Sequence, residues 1–303
     1  MPEELQIRVH GDSGLPTLIY LPGLHGDWTL VTSFSKALEG RVRFVEFTYP
    51  RTTEWSLRDY ARAVEQALAE HEITAGWLLG ESFGSQIVWE VVDESRQQEG
   101  DAAGLTTPHP RFLSPWRGEG STGPNTRFKV QGVILAGGFV RHPMIPFARL
   151  AEGLMRGMPL SWLRAFLFFY AKYARFRHRH APETFESVKE FVARRTGADK
   201  QAMAHRLRLV AESDPREQAR RVSAPVFHVA GFFDPIVPWF PAQRWLRRNC
   251  PGFRAAKVIA SADHNVLGTA PREAAEQVLE WMSGAAAKGR GLQPASAQLG
   301  RRR

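Results

Sequence analysis

Trp77-Leu78-Leu79-Gly80-Glu81-Ser82-Phe83-Gly84-Ser85-Gln86-Ile87-Val88-Trp89 is the stretch on which the fold turns. A short apolar run, Trp77 to Leu79, enters the turn Gly80-Glu81-Ser82-Phe83-Gly84, and a segment with helical apolar spacing leaves it. The pattern is strand, tight turn and helix, with a serine at the apex. Side chains at positions 80 and 84 would collide with the neighbouring strand and helix. The serine is expected in strained backbone geometry that lifts its hydroxyl clear of the sheet. The N-terminus of the following helix directs free N–H groups toward any negative charge that develops there.

Upstream, residues 5–10 alternate apolar and polar, which predicts a half-buried edge strand, and Thr17-Leu18-Ile19-Tyr20-Leu21 predicts a buried one. The second runs into Pro22-Gly23-Leu24-His25-Gly26-Asp27. A glycine-rich loop at the C-terminal end of a strand is where open α/β sheets place ligands. Its backbone N–H groups are candidate donors to an oxyanion, Leu24 first among them. A helix over 28–38, a strand over 42–47 and a helix capped by Ser56 and running to about Glu70 follow. Alternating strands and helices predict a mostly parallel central sheet with helices on both faces.

Downstream of the serine turn, the helix is expected to fade near Glu94. Residues 97–128 carry Gly, Pro, Ser, Thr and Arg with little apolar periodicity and read as a mobile surface insertion. A buried strand returns at 130–136. Residues 140–214 are helical in pattern without strands and predict an inserted helical cap. Within it, Leu163, Phe166, Leu167, Tyr170 and Tyr173 form one stripe, and Arg164, Lys172 and Arg175 lie off it. Phe166, Tyr170 and Tyr173 are the candidate substrate-binding residues, lining the roof of a pocket; the same stripe facing an anionic membrane is the competing destination. Strands over 225–231 and 254–260 complete the sheet. Asp234 stands just past the first, Asp263 and His264 just past the second, and a helix opens at Pro271 and ends near Met282. Residues 284–303 read as a disordered basic tail. The predicted core is therefore 1–139 with 215–283.

Composition bounds the function. The chain has 303 residues, 43% hydrophobic and 23% charged, which suffices for one large core. No apolar run approaches the roughly 18–20 residues needed to span a bilayer. The N-terminus has no signal-peptide pattern, and the one cysteine, Cys250, precludes an internal disulfide; both give a cytoplasmic expectation. The net charge of +9 concentrates between Arg141 and Arg221, where 17 Lys/Arg face 8 Asp/Glu. Solvated basic faces are the plainer account of that excess. It leaves open a weak contact with an anionic membrane and gives no ground for nucleic acid.

Serine turn, then an acid after a strand, then a histidine after the last strand resembles the α/β-hydrolase superfamily, and the chain is similar to its helical-capped, esterase-like serine hydrolases over residues 5–283. The correspondence lies at Gly80 to Gly84, at Gly231-Phe232-Phe233-Asp234-Pro235-Ile236-Val237-Pro238 and at Asp263-His264-Asn265. Two departures stand out. Pro22-Gly23 occupies the place of a frequent His-Gly, and Ser85 replaces a frequent glycine, which predicts a slightly looser contact of helix and strand. The resemblance implies Ser82 as nucleophile, His264 as base, Asp234 as its orienting acid, and the Leu24 and Phe83 N–H groups as oxyanion donors. It implies acyl transfer to water from a small-molecule ester or thioester, without metal or organic cofactor. Aminopeptidase or carbon–carbon hydrolase activity on the same groups, and an idle hydrolase fold serving as a binding module, stay open. Oligomeric state is not readable.

Overall fold

The computed structural model describes residues 4–102, 128–165, 168, 169, 192 and 195–290. Seven strands form one sheet: β1 (Gln6–His10), β2 (Thr17–Leu21), β3 (Arg43–Thr48), β4 (Ala75–Glu81), β5 (Lys129–Ala136), β6 (Val226–Gly231) and β7 (Phe253–Ile259). Their order across the sheet is β1-β3-β2-β4-β5-β6-β7. β1 runs antiparallel to β3 at the edge, and every other pairing is parallel. The alternation read at 5–10 is that of an edge strand with one face toward solvent. The continuous apolar runs of β2 and β4 belong to strands covered on both sides.

Because side chains alternate along a strand, each central strand feeds two cores. Ile19, Leu21 and Leu78 point to one face, where they meet Tyr60, Val64 and Leu68 of α2 (Leu57–Glu70) and Ile87, Val88 and Val91 of α3 (Gly84–Ala102). Leu18, Tyr20, Trp77 and Leu79 point to the other. There they meet Phe34 and Leu38 of α1 (Thr32–Leu38) and the long C-terminal helix, which begins at Pro271. The second face is closed by Trp281 stacked on Phe227, ring centroids 4.9 Å apart. Ser56 caps α2 through a reciprocal pair with Asp59, whose side chain accepts from the Ser56 N–H while Ser56 accepts from the Asp59 N–H.

Between β5 and β6 the described chain is helical. α4 (Ile145–Gly157) packs on α5 (Gly197–Glu212), residues 160–165 form a further helical turn, and α6 (Arg216–Arg220) leads back to the sheet. Leu163 of the predicted stripe is buried, while Trp162, Phe168 and Phe169 beside it are exposed. Phe166, Tyr170 and Tyr173 lie outside the described residues.

Several boundaries differ from the sequence reading. α3 continues to Ala102, and Phe128 is buried in the core. Both ends assigned to the 97–128 insertion are therefore ordered structure, and residues 103–127 lie outside the described residues. A helix over Trp239–Asn249 (α7) was unforeseen, as was a four-residue turn of helix, α8 (Val266–Thr269). The last helix, α9, spans Pro271–Arg290 and runs past Met282 into the segment read as a tail. Among the described residues, no helix is long and apolar enough to cross a membrane.

Among the described glycines, position 84 is one of three that approach a backbone carbonyl so closely that no side chain fits. A Cβ there would lie 2.0 Å from the Leu21 carbonyl oxygen, and backbone cannot move aside as a flexible side chain can. Gly153, inside α4, has nothing within 4 Å of its would-be Cβ. Gly84→Ala is expected to destabilise the protein by about 3 kcal/mol or more through overpacking. Gly153→Ala should stabilise it by up to about 1 kcal/mol through helix propensity. Urea melts of the two variants check the contrast, and equal midpoints would remove the steric account of the turn.

Candidate active site

The site is assembled from the C-terminal ends of four parallel strands. Ser82 follows β4 with φ at +48°, in the left-handed region that non-glycine residues seldom occupy. Its amide donates to Ala136 O across the sheet at 3.1 Å, which helps hold the strained turn. Asp234 follows β6, and its Oδ1 accepts from the Ile236 and Val237 amides at 2.9 and 2.8 Å. His264 follows β7. Its Nδ1 lies 2.8 Å from Asp234 Oδ2 and its Nε2 lies 2.9 Å from Ser82 Oγ. Three residues separated by up to 182 positions thus form one hydrogen-bonded row.

Asp263 does not join that row. Its Oδ1 accepts from the Asn265 amide at 3.0 Å, and Asn265 in turn accepts from the Gly268 amide, so this acid shapes the loop that carries His264. The Leu24 loop and the Phe83 amide meet the row from the other side. A Cβ at position 23 would touch Ser82 Cβ at 3.4 Å, so the 22–27 loop runs directly against the serine. Among the described residues, neither the Leu24 nor the Phe83 amide donates to a backbone carbonyl.

Ser85 departs from the looser contact anticipated for it. Its Oγ lies 2.6 Å from Ser82 O and 3.0 Å from Phe139 O, and it accepts from the Phe139 amide at 3.2 Å. The hydroxyl ties the serine turn to the chain leaving β5. Gln86 and Trp89 add bonds to the same carbonyl, at 3.2 and 3.0 Å.

Polar groups that pattern reading passed over surround these residues. Glu81, buried beside the serine, accepts a short hydrogen bond from Tyr20, whose phenol burial and the adjacent carboxylate push well above its usual pKa. His25 Nε2 approaches the same carboxylate at 3.8 Å. Asp27 accepts from the Thr29 amide at 2.9 Å and from Arg195 Nη2 at 2.6 Å. Burial alone would raise the Asp27 pKa, but His25 and Arg195 outweigh it and hold the carboxyl below its ordinary value. Asp199 caps α5 through Thr196 and also takes Arg51 Nε at 2.8 Å. His142, buried against Phe139 with centroids 5.0 Å apart, has its pKa lowered chiefly by burial. A cleft of about 410 Å³ opens beside it, between the start of α4 and α7, and none of Ser82, Asp234 and His264 lines it. The one available signal for these groups was a charged or polar residue inside an otherwise apolar run or glycine-rich loop, as at Glu81 and Asp27.

Among the described residues, no group of three His, Cys, Asp or Glu has the arrangement to hold a metal ion. The row is instead arranged for proton transfer, with a hydroxyl, an imidazole and a shielded carboxylate in hydrogen-bond contact.

The model of the alpha/beta hydrolase family matches residues 9–278, and the chain belongs to that family. It is 25% identical over 241 residues to a pimeloyl-[acyl-carrier protein] methyl ester esterase of Aliivibrio fischeri, covering 78% of this chain and 82% of that one. Among solved structures it is similar in fold to a thermophilic esterase from Thermogutta terrifontis, with a TM-score of 0.65, 17% identity and 93% of each chain covered. It is also similar to an enol-lactonase from Burkholderia xenovorans LB400, with a TM-score of 0.68, 14% identity, and 92% and 96% covered. The protein is a hydrolase of this fold.

Burial would lower the His264 pKa, but the Asp234 carboxylate beside it, aided by Glu81 and Asp263, raises it above the ordinary value. A histidine whose folded pKa is raised binds its proton more tightly folded than unfolded. Its stabilising contribution is complete below pH ~6.5 and is lost as pH rises through the folded value. Imidazole NMR titration should place the His264 midpoint above 6.5, and Asp234→Asn should move it downward. An unchanged midpoint in that variant would show that Asp234 does not set the charge of His264.

Proposed function

We propose that the protein is a serine hydrolase that cleaves carboxylic esters or thioesters through an acyl-serine. The observation carrying this reading is the unbroken row from Ser82 Oγ through His264 to Asp234 at 2.9 and 2.8 Å, set on a strained turn at a helix N-terminus. A serine hydroxyl is a poor nucleophile at neutral pH and needs a base in hydrogen-bond contact. Ser82 Oγ attacks the acyl carbon as its proton passes to His264 Nε2. The electron pair of the carbonyl goes to oxygen, to which the Leu24 and Phe83 amides donate hydrogen bonds. Collapse expels the alcohol or thiol, which takes the proton from His264. Water, deprotonated by His264, then attacks the acyl-serine, and the carboxylic acid leaves as Ser82 regains its proton. Asp234 fixes the tautomer with Nδ1 protonated and stabilises the imidazolium.

The curated relative is named as a methyl ester esterase, and an ester rather than an amide is the substrate class that likeness favours. Residues 140–214 serve as the cap over Ser82. The roles assigned from the sequence to Phe166, Tyr170 and Tyr173 belong to the same proposal.

Hydrolysis of p-nitrophenyl esters and labelling by a fluorophosphonate test the reading. Ser82→Ala should abolish labelling and lower kcat by about 10⁶. Asp234→Asn should lower it by about 10⁴, with Asp263→Asn much milder. Near-normal turnover by the alanine variant would end the proposal, and the reverse ranking of the two aspartates would reassign the acid. Since the neutral imidazole is the base, kcat/KM should rise with pH through the raised His264 value. Its acid limb therefore belongs above pH ~6.5; a flat profile across that range would contradict His264 as the base.

A further inference from the structure

Arg206 is among the largest fully buried side chains of the protein. It projects from α5, and its guanidinium donates through Nη1 to Leu24 O at 2.9 Å and through Nη2 to Pro50 O at 3.0 Å. Its Nε lies 3.4 Å from the Tyr60 hydroxyl, and the group sits over the Tyr49 ring at 5.4 Å. Among the described residues, no carboxylate pairs with it. Arg195, eleven positions earlier, is buried with Asp27 and Asp199 as partners. A buried cation answered only by carbonyls, a hydroxyl and an aromatic face is a costly way to fill space. A residue of similar volume without charge would pack there with less desolvation.

What the charge does is hold the loop. Gly26 has φ at +75°, and a Cβ there would lie 2.3 Å from Arg206 Nη1. The 22–27 loop is thus moulded around the guanidinium. Tyr49 N donates to Gly26 O at 2.8 Å and closes the same loop from β3. Charge-assisted bonds are shorter and stronger than neutral ones, and the planar fork fixes the direction of each carbonyl it meets. The carbonyl of Leu24 and its amide flank one Cα, so fixing the first restricts where the second points.

We propose that Arg206 is the positioning residue for the Leu24 N–H, and that through it the oxyanion donor depends on the docking of α5. This rests on the serine-hydrolase reading given above. The inserted helical segment would then do more than cover the site. It would complete it, because the group that shapes one side of the oxyanion pocket is supplied from outside the sheet.

The test uses the full chain and p-nitrophenyl butyrate. Arg206→Met keeps the volume and removes the charge. It should lower kcat by ~10²-fold, the scale of losing one oxyanion donor, with KM changed less than about threefold. Affinity for phenylboronic acid, which forms a tetrahedral adduct on the serine, should fall by a similar factor. The His264 NMR midpoint should not move, since the base and its acid are untouched. Arg206→Lys restores a charge without the fork and should fall between. In Arg206→Ala, millimolar guanidinium should recover part of the lost kcat. A folded Arg206→Met with kcat within threefold of wild type would overturn the proposal. So would a loss that tracks KM, shifts the His264 midpoint, or resists guanidinium. If Arg206→Met does not fold, Arg206→Lys decides alone: a kcat loss with KM and melting temperature preserved supports positioning, and unchanged kcat refutes it. Persistence of activity in Ser82→Ala would indicate instead that the underlying reaction had been misread.

Discussion

The contact between position 84 and the end of β2 is the constraint from which the site follows. With no side chain at Gly84, the first turn of α3 can lie against Leu21 O and Pro22 O, closer than any alanine would permit. That approach brings the start of α3, with the Phe83 amide just before it, beside the loop that leaves β2. The serine is caught between them, in the left-handed backbone region, because no relaxed turn joins β4 to α3 within so short a span. The strain is local and the restraints are many. They include the Ser82 amide on Ala136, the Ser85 hydroxyl on the chain after β5, and Val88 packed over Gly80. A strained apex persists only where its surroundings over-determine it, and here they do.

Electrostatics attaches the helical segment to this apex. Asp27 on the β2 loop, Arg195 and Asp199 at the start of α5, and Arg51 after β3 form one chain of contacts, with Arg195–Asp27 at 2.6 Å and Arg51–Asp199 at 2.8 Å. Buried ion pairs contribute little net stability against an apolar alternative, but breaking one partner leaves an uncompensated charge. Such a network therefore defines one docking position better than it strengthens it. The depressed Asp27 pKa has the matching consequence: its contribution is present above the ordinary carboxylate range and lost as pH falls through the lowered folded value.

The sheet, its order of strands and helices, and the three residues of the row were legible because each rests on a local signal. Apolar runs of strand length, the serine turn, and polar residues stranded just past buried strands are all visible without tertiary knowledge. The sequence reading failed where tertiary structure overrides pattern. α7 carries Arg244, Arg247 and Arg248 along its outer side and follows a proline, so its apolar content is too low to announce a helix, although Leu246 and Ala242 are buried. α3 runs on past Glu94 through a polar stretch. The basic residues between 141 and 221 read as solvated faces, yet Arg195 and Arg206 are buried and bond to Asp27 and to Leu24 O of the loop after β2. Nothing in a sequence distinguishes an arginine that reaches solvent from one that reaches a carbonyl 182 residues away.

Topology explains why that distance is bridged at all. β5 lies between β4, which carries Ser82, and β6, which carries Asp234. A segment inserted after β5 leaves the sheet at its C-terminal edge, between the nucleophile candidate and its acid, and must return to the start of β6. Any compact helical insertion at that point starts from the C-terminal ends of the strands, the end of the sheet that also carries Ser82, before side chains choose contacts. Within it, α5 lies within reach of the β2 loop, and a long side chain ending in a planar fork can grip two backbone carbonyls at once. Lysine can also meet two carbonyls, as Lys200 does with Arg156 O and Met158 O, but its rotatable ammonium fixes the direction of neither. The placement of the insertion makes a clamp on the loop available, and the geometry of arginine makes it specific.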